Sequence, residues 1–76
     1  MARSGQPSSG GFGLTQREIE IIAAIKEGNS NREIAGKLAI SEETVKRHLS
    51  NIYGKLGVNS RLELAVLASE QHLGTE

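Results

Sequence analysis

Seventy-six residues make one domain with a modest core, and nine basic residues balance nine acidic ones to give zero net charge. The absence of cysteine excludes a disulfide framework, a thiolate zinc site and a cysteine nucleophile, and with Phe12 and Tyr53 as the only aromatics the core must be aliphatic. No apolar run is long enough to span a membrane, and the amino terminus lacks a basic segment followed by an apolar one, so the expected compartment is the cytoplasm.

Residues 1–13, MARSGQPSSGGFG, hold the only proline, four of the nine glycines and no apolar periodicity. That composition reads as disordered, either an interdomain linker or an appended leader. The folded domain is expected over residues 14–76.

From Leu14 onward the chain marks four helix starts. Thr15-Gln-Arg-Glu18, Ser30-Asn-Arg-Glu33 and Ser60-Arg-Leu-Glu63 each have the capping-box pattern, in which a hydroxyl and a carboxylate satisfy each other's backbone amides. Leu14 and Ile19 supply a hydrophobic staple around the first box. Ser41-Glu-Glu-Thr44 opens the third helix, with Ile40 and Val45 as its staple and Thr44 in place of the capping glutamate. Gly28 and Gly57 suit the left-handed position just past a helix end. The resulting expectation is an all-α, four-helix fold with helices at about Gln16–Glu27, Asn31–Leu38, Glu42–Leu56 and Arg61–His72. Only Ala39, Ile40 and Ser41 separate the second and third helices, a turn short enough to force the steep crossing of a helix-turn-helix. Gly36, inside the second helix, either admits a neighbouring helix or a phosphate or is a tolerated surface glycine.

The third helix has three distinct rows. Val45, Leu49, Ile52 and Leu56 recur at helical spacing and face a core. Opposite them lie Glu43, Lys46, Arg47, Ser50 and Gly54, bordered by Thr44, His48, Asn51 and Lys55. From Ser30 to Arg61 six cations meet three acids, and from Thr44 to Arg61 there is no acid at all, so a neutral chain acquires one basic face. Such a helix suits the DNA major groove. Lys46 and Arg47 can reach guanine edges, Ser50 leaves room for close approach, and Glu43 can accept from a cytosine amino group. Thr44, His48, Asn51 and Lys55 are placed to hold phosphates, and Asn31 and Arg32 can add backbone contacts from the second helix. An ordinary solvated helix face is the competing explanation of the charges alone.

The segment from Leu14 to Ala68 also resembles the LuxR-type (LuxR/FixJ) carboxy-terminal domain of bacterial transcription regulators. The matching pieces are Leu14-Thr-x-Arg-Glu18, Gly28-x-Ser30-Asn-x-Glu33-Ile34-Ala35, Ile40-Ser41, Thr44-Val-Lys-x-His48, Lys55-Leu-Gly-Val58 and Arg61. The resemblance implies a tetrahelical helix-turn-helix with the third helix in the major groove and a dimer through the fourth. By family position Lys46, Arg47 and Ser50 would meet bases, whereas Asn31, Thr44, Lys46 and His48 would meet the backbone. It implies promoter or operator DNA as the partner, with RNA polymerase as a further candidate, and a role as effector domain of a two-component response regulator or related regulator. A stand-alone regulator of the same fold and a sigma-factor-like promoter reader are the alternatives, with a helical adaptor lacking any DNA role as the alternative of a different class.

In the fourth helix Leu64, Ala65 and Ala68 can cover the core, leaving Leu62, Val66, Ser69 and Leu73 as a second row for a homodimer, unless both rows pack internally. Glu18 and Arg61 are expected to lie close enough to tie the first helix to the fourth, the alternative for Arg61 being a phosphate contact. An enzyme is not expected: His48 and His72 sit on separate helices and there is no aspartate or phosphate-cradling glycine loop. Nor does this segment offer a cofactor, a metal site or a small-molecule ligand site.

Overall fold

A computed structural model describes residues 13–73; the linker-or-leader reading of residues 1–13 therefore falls, apart from Gly13, outside the described residues. Four helices follow in order: α1 (Gln16–Lys26), α2 (Asn31–Leu38), α3 (Glu42–Leu56) and α4 (Arg61–Gln71). There is no strand among the described residues. The all-α, four-helix expectation holds, with α1 and α4 each one residue shorter than expected.

Each helix begins on a hydroxyl. Thr15, Ser30, Ser41 and Ser60 accept the backbone N–H three residues on, from Glu18, Glu33, Thr44 and Glu63 respectively. The first two are complete capping boxes. At Ser60 the box is shifted, because Glu63 Oε1 accepts from the Asn59 amide at 2.7 Å rather than from Ser60 itself. The cause is the more extended Ser60 backbone, φ −151° against −80° and −81° at Thr15 and Ser30.

The helices also end alike. Asn29, Ile40, Val58 and Leu73 each donate a backbone N–H to the carbonyl five residues back, on Ala24, Ala35, Tyr53 and Ala68. That closure requires a left-handed residue in between, and Gly28 (φ +88°) and Gly57 (φ +69°) provide it without strain. At the other two ends the left-handed residues are Ala39 (φ 59°) and His72 (φ 58°), which carry a Cβ.

α1 lies at the centre, packed against α2, α3 and α4, while α2 packs on α3. The central position explains why Ile19, Ile21, Ile22, Ala24 and Ile25 are all buried, on more than one face of a single helix. Leu14 ahead of α1, Ile34 and Ala35 of α2, Val45, Leu49 and Ile52 of α3, Leu64 and Ala68 of α4, and Leu73 complete the core, with Leu38, Ile40, Tyr53, Leu56, Val58 and Ala65 packed at its edge.

Two sequence expectations are corrected. Leu73 is not an outward residue of α4: His72 turns the chain back and Leu73 is wholly buried (0% exposed), its carbonyl accepting from Lys26 Nζ at 2.9 Å. Glu18 and Arg61 are not partners. Glu18 binds Lys55 of α3, and Arg61 binds Asn29 and Asn31 at the start of α2. Gly36 is exposed and a Cβ there would meet nothing within 4 Å, so no neighbouring helix needs the space.

Candidate nucleic-acid interface

The burial of Val45, Leu49 and Ile52 fixes the rotation of α3, and the side opposite is therefore open to solvent. Glu43, Lys46, Arg47, Ser50 and Gly54 are all exposed along it. Of the flanking row, Asn51 is exposed while Thr44 and His48 are half-buried. The row of proposed base readers is thus a continuous polar surface on one helix.

At the start of α3 the Thr44 hydroxyl lies 2.9 Å from Ser41 Oγ, which also accepts the Thr44 backbone N–H at 3.1 Å. Ser41 has one proton to give. When it donates that proton to Thr44, the Thr44 proton is left for an external acceptor. A glutamate at this position would put a charge there instead.

The pairing of cations sorts the basic face. Lys37 is 3.0 Å from Glu27, an exposed pair that lowers the Glu27 pKa through the Lys37 hydrogen bond first and its charge second. Lys55 is bound to Glu18 Oε1 at 2.7 Å and to the Gly13 carbonyl at 3.1 Å, so its ammonium is turned toward α1. Lys46 is held only loosely, 3.8 Å from Glu43 with both side chains largely in water. Arg32 and Arg47 are exposed and form no ion pair with any described residue. On α2 and α3, then, Arg32, Lys46 and Arg47 are loosely held or form no ion pair among the described residues.

Glu18 is 3% exposed and accepts from Thr15 N at 2.9 Å as well as from Lys55. Burial pushes its pKa up, but the Lys55 hydrogen bond, the Thr15 N–H and the Lys55 charge outweigh it and hold the carboxyl below its ordinary value. This pair, buried on the Glu18 side, locks α3 to α1.

At the first turn of α2, Asn31 is half-buried and its Oδ1 accepts from Arg61 at 2.7 Å. A second guanidinium nitrogen of Arg61 donates to the Asn29 carbonyl. Sequence reasoning missed this link. The available signal was an arginine at the first position of a helix, the end where the helix dipole disfavours a cation and where another partner is needed.

On α4 the outer row is Leu62 (74% exposed), Val66 (48% exposed) and the exposed Ser69. Leu62 and Val66 are the exposed large hydrophobic residues among those described, one helical turn apart on the same side. No helix among the described residues is long and apolar enough to cross a membrane.

Comparison with known proteins identifies the family. Residues 13–68 match the family described as bacterial regulatory proteins, luxR family. The chain is 48% identical over 60 residues to the transcriptional regulatory protein LiaR of Bacillus subtilis, covering 79% of this chain and 28% of that protein. It is 49% identical over 59 residues to the nitrate/nitrite response regulator protein homolog of Haemophilus influenzae, covering 78% of this chain and 28% of the relative. The crystal structure of response regulator ChrA in a heme-sensing two-component system superposes with a TM-score of 0.75 at 43% identity, over 91% of this chain and 32% of that one. The chain thus spans less than a third of each of these proteins. Four capped helices, a polar outer row on α3 and a family match over most of the fold lead to one conclusion: the chain belongs to the luxR family of bacterial regulatory proteins, as a helix-turn-helix domain of DNA-binding transcription regulation.

Proposed function

We propose that this domain is the effector part of a two-component response regulator, reading operator DNA with α3 in the major groove. The observation that carries the reading is the outer row of α3, where exposed Arg47 has no ion-pair partner among the described residues and Lys46 has only a distant one. Desolvating an arginine that is already paired sacrifices that pair; an unpaired one is ready for a guanine edge or a phosphate. Lys46, Arg47 and Ser50 are the base readers, with Glu43 at the helix start as a selector for cytosine. Asn31, Thr44, His48 and Asn51 hold the backbone and set the register. Lys55 leaves the group of phosphate ligands, since its ammonium serves Glu18 and Gly13.

The response-regulator assignment draws on the relatives, among them a nitrate/nitrite response regulator homolog and ChrA, in which the matched segment is under a third of the length. A second copy of the domain docks through Leu62, Val66 and Ser69, giving two reading helices related by a dyad. RNA polymerase is the further partner in activation.

The test is binding to a labelled random-sequence duplex at low and at high salt. A DNA reader loses affinity steeply as salt rises, by about 0.9 in log K per phosphate neutralised for each decade of salt. Absence of binding at both salts would overturn the reading and leave the adaptor alternative.

A further inference from the structure

We propose that Arg61 is a positioning residue for DNA binding: it fixes the Asn31 side-chain amide with its donor edge turned away from the protein, available to a backbone phosphate. The inference rests on Asn31 being a phosphate ligand, as proposed above.

The chemistry leaves one orientation for that amide. A guanidinium has five N–H donors and no acceptor. The Asn31 group facing it at 2.7 Å must therefore be the carbonyl oxygen, because the NH₂ in that place would set donor against donor. With Oδ1 committed, Nδ2 is the edge left over, and it has no hydrogen-bond partner among the described residues. A free asparagine could present either edge to an anion, and only one of them attracts it. Arg61 removes the wrong choice before DNA arrives, which lowers the ordering cost of the contact.

The arginine is itself held in place. Its two bonds, to Asn31 Oδ1 and to the Asn29 carbonyl, span the turn around Ser30 with the fork of one guanidinium. No carboxylate pairs with Arg61 among the described residues, so its charge is not cancelled and it polarises the amide in front of it. Arg61 is also the first residue of α4, whose outer row is the proposed dimer face. The same bond thus joins the dimer helix to the phosphate ligand of α2.

The experiment measures affinity for a labelled random-sequence duplex across a salt series, with the unfolding of each variant followed in parallel. The variants of the full chain are Asn31→Ala, Arg61→Ala, their double mutant, Arg61→Lys and Asn31→Asp. Asn31→Ala should weaken binding by roughly tenfold, the worth of one hydrogen bond to a charged group, and Arg61→Ala by a smaller factor of about two to five, since the freed asparagine can still donate once oriented. The double mutant should be no weaker than Asn31→Ala alone, since Arg61 acts only through Asn31. The salt slope should stay at the wild-type value, because neither residue neutralises a phosphate. Asn31→Asp should keep or raise stability, by pairing with Arg61, yet bind more weakly than Asn31→Ala.

Losses that multiply in the double mutant, with a slope reduced by about 0.9 in Arg61→Ala, would make Arg61 a direct phosphate ligand and overturn the proposal. Wild-type affinity in a folded Arg61→Ala would also overturn it. If Arg61→Ala does not fold, Arg61→Lys and Asn31→Asp decide. Lysine keeps the charge but lacks the two-pronged grip, so it should weaken binding at constant slope, and wild-type binding by both variants would overturn the proposal. Failure of the wild-type chain to bind at low salt marks the separate failure of the DNA-reading assignment, and the inference falls with it.

Discussion

Lys55 of α3 reaches the buried carboxylate of Glu18 on α1 at 2.7 Å, so a cation on the border of the exposed row of α3 is turned inward to hold the fold. Removing it strands a carboxylate that is almost wholly out of water. Lys55→Ala should destabilise the domain by about 1–3 kcal/mol, less than for a fully buried pair because the Lys55 side chain keeps 34% of its surface in solvent. Urea unfolding measures this. The salt slope of DNA binding should not change, whereas a slope reduced by one phosphate would return Lys55 to the DNA.

The same pair makes stability fall in acid. Glu18 has a folded-state pKa below its ordinary value of 4.5, so the stability it contributes is complete above that value. It is lost as pH falls from there through the lowered folded-state value. Unfolding followed by circular dichroism from neutral pH to strong acid should show this loss, and Glu18→Gln should flatten it. An unchanged acid profile in Glu18→Gln would assign the loss to other carboxylates.

The proposed base readers and backbone ligands should differ in what their loss does. Arg47→Ala and Ser50→Ala should change which sequences are selected from a random DNA pool, at about 1–3 kcal/mol per lost bidentate base contact for Arg47. Thr44→Ala and His48→Ala should weaken all sequences alike. Unaltered affinity and preference in Arg47→Ala would mean that α3 presents another face to DNA.

The exposed apolar pair of α4 and the buried Leu73 that follows the helix separate in the same way. Leu62→Glu and Val66→Glu should abolish self-association measured by sedimentation while leaving the unfolding midpoint near wild type, because both side chains are exposed. Leu73→Ala should destabilise the fold by about 2–5 kcal/mol, since Leu73 is wholly buried.

The left-handed helix ends hold unused stability. Ala39→Gly and His72→Gly should each stabilise the domain by roughly 1 kcal/mol, the cost of holding a Cβ in that conformation. Thermal unfolding reads the gain, and a lowered midpoint would mean that the side chains contribute more than the strain costs.

Most of the fold was legible because its signals are local. A cap such as Thr15 with Glu18, or a glycine such as Gly28, states its role within a few residues of sequence, and the stripe Val45, Leu49, Ile52 fixes the rotation of α3. The Glu18 partner was not legible, because the choice between Lys55 and Arg61 depends on how α1 packs against α3 and α4. Nor was the burial of Leu73, because it follows from a left-handed His72, which does not mark a helix end as a glycine would. Among the candidate site residues, Lys46, Arg47 and Ser50 stood out on a helix wheel, while the engagement of Asn31 by Arg61 depends on an approach across thirty residues of chain.

At the corners between α1 and α2 and between α2 and α3, the residue that closes one helix is followed at once by the residue that caps the next: Asn29 by Ser30, and Ile40 by Ser41. Neither corner contains a spare residue. The angle at which α3 stands on the domain is therefore a rigid set-square, and inserting even one residue would break a closure or a cap. On the proposed reading, a change of target sequence has to come from exchanging side chains along the outer row of α3, with the helix itself aimed as before.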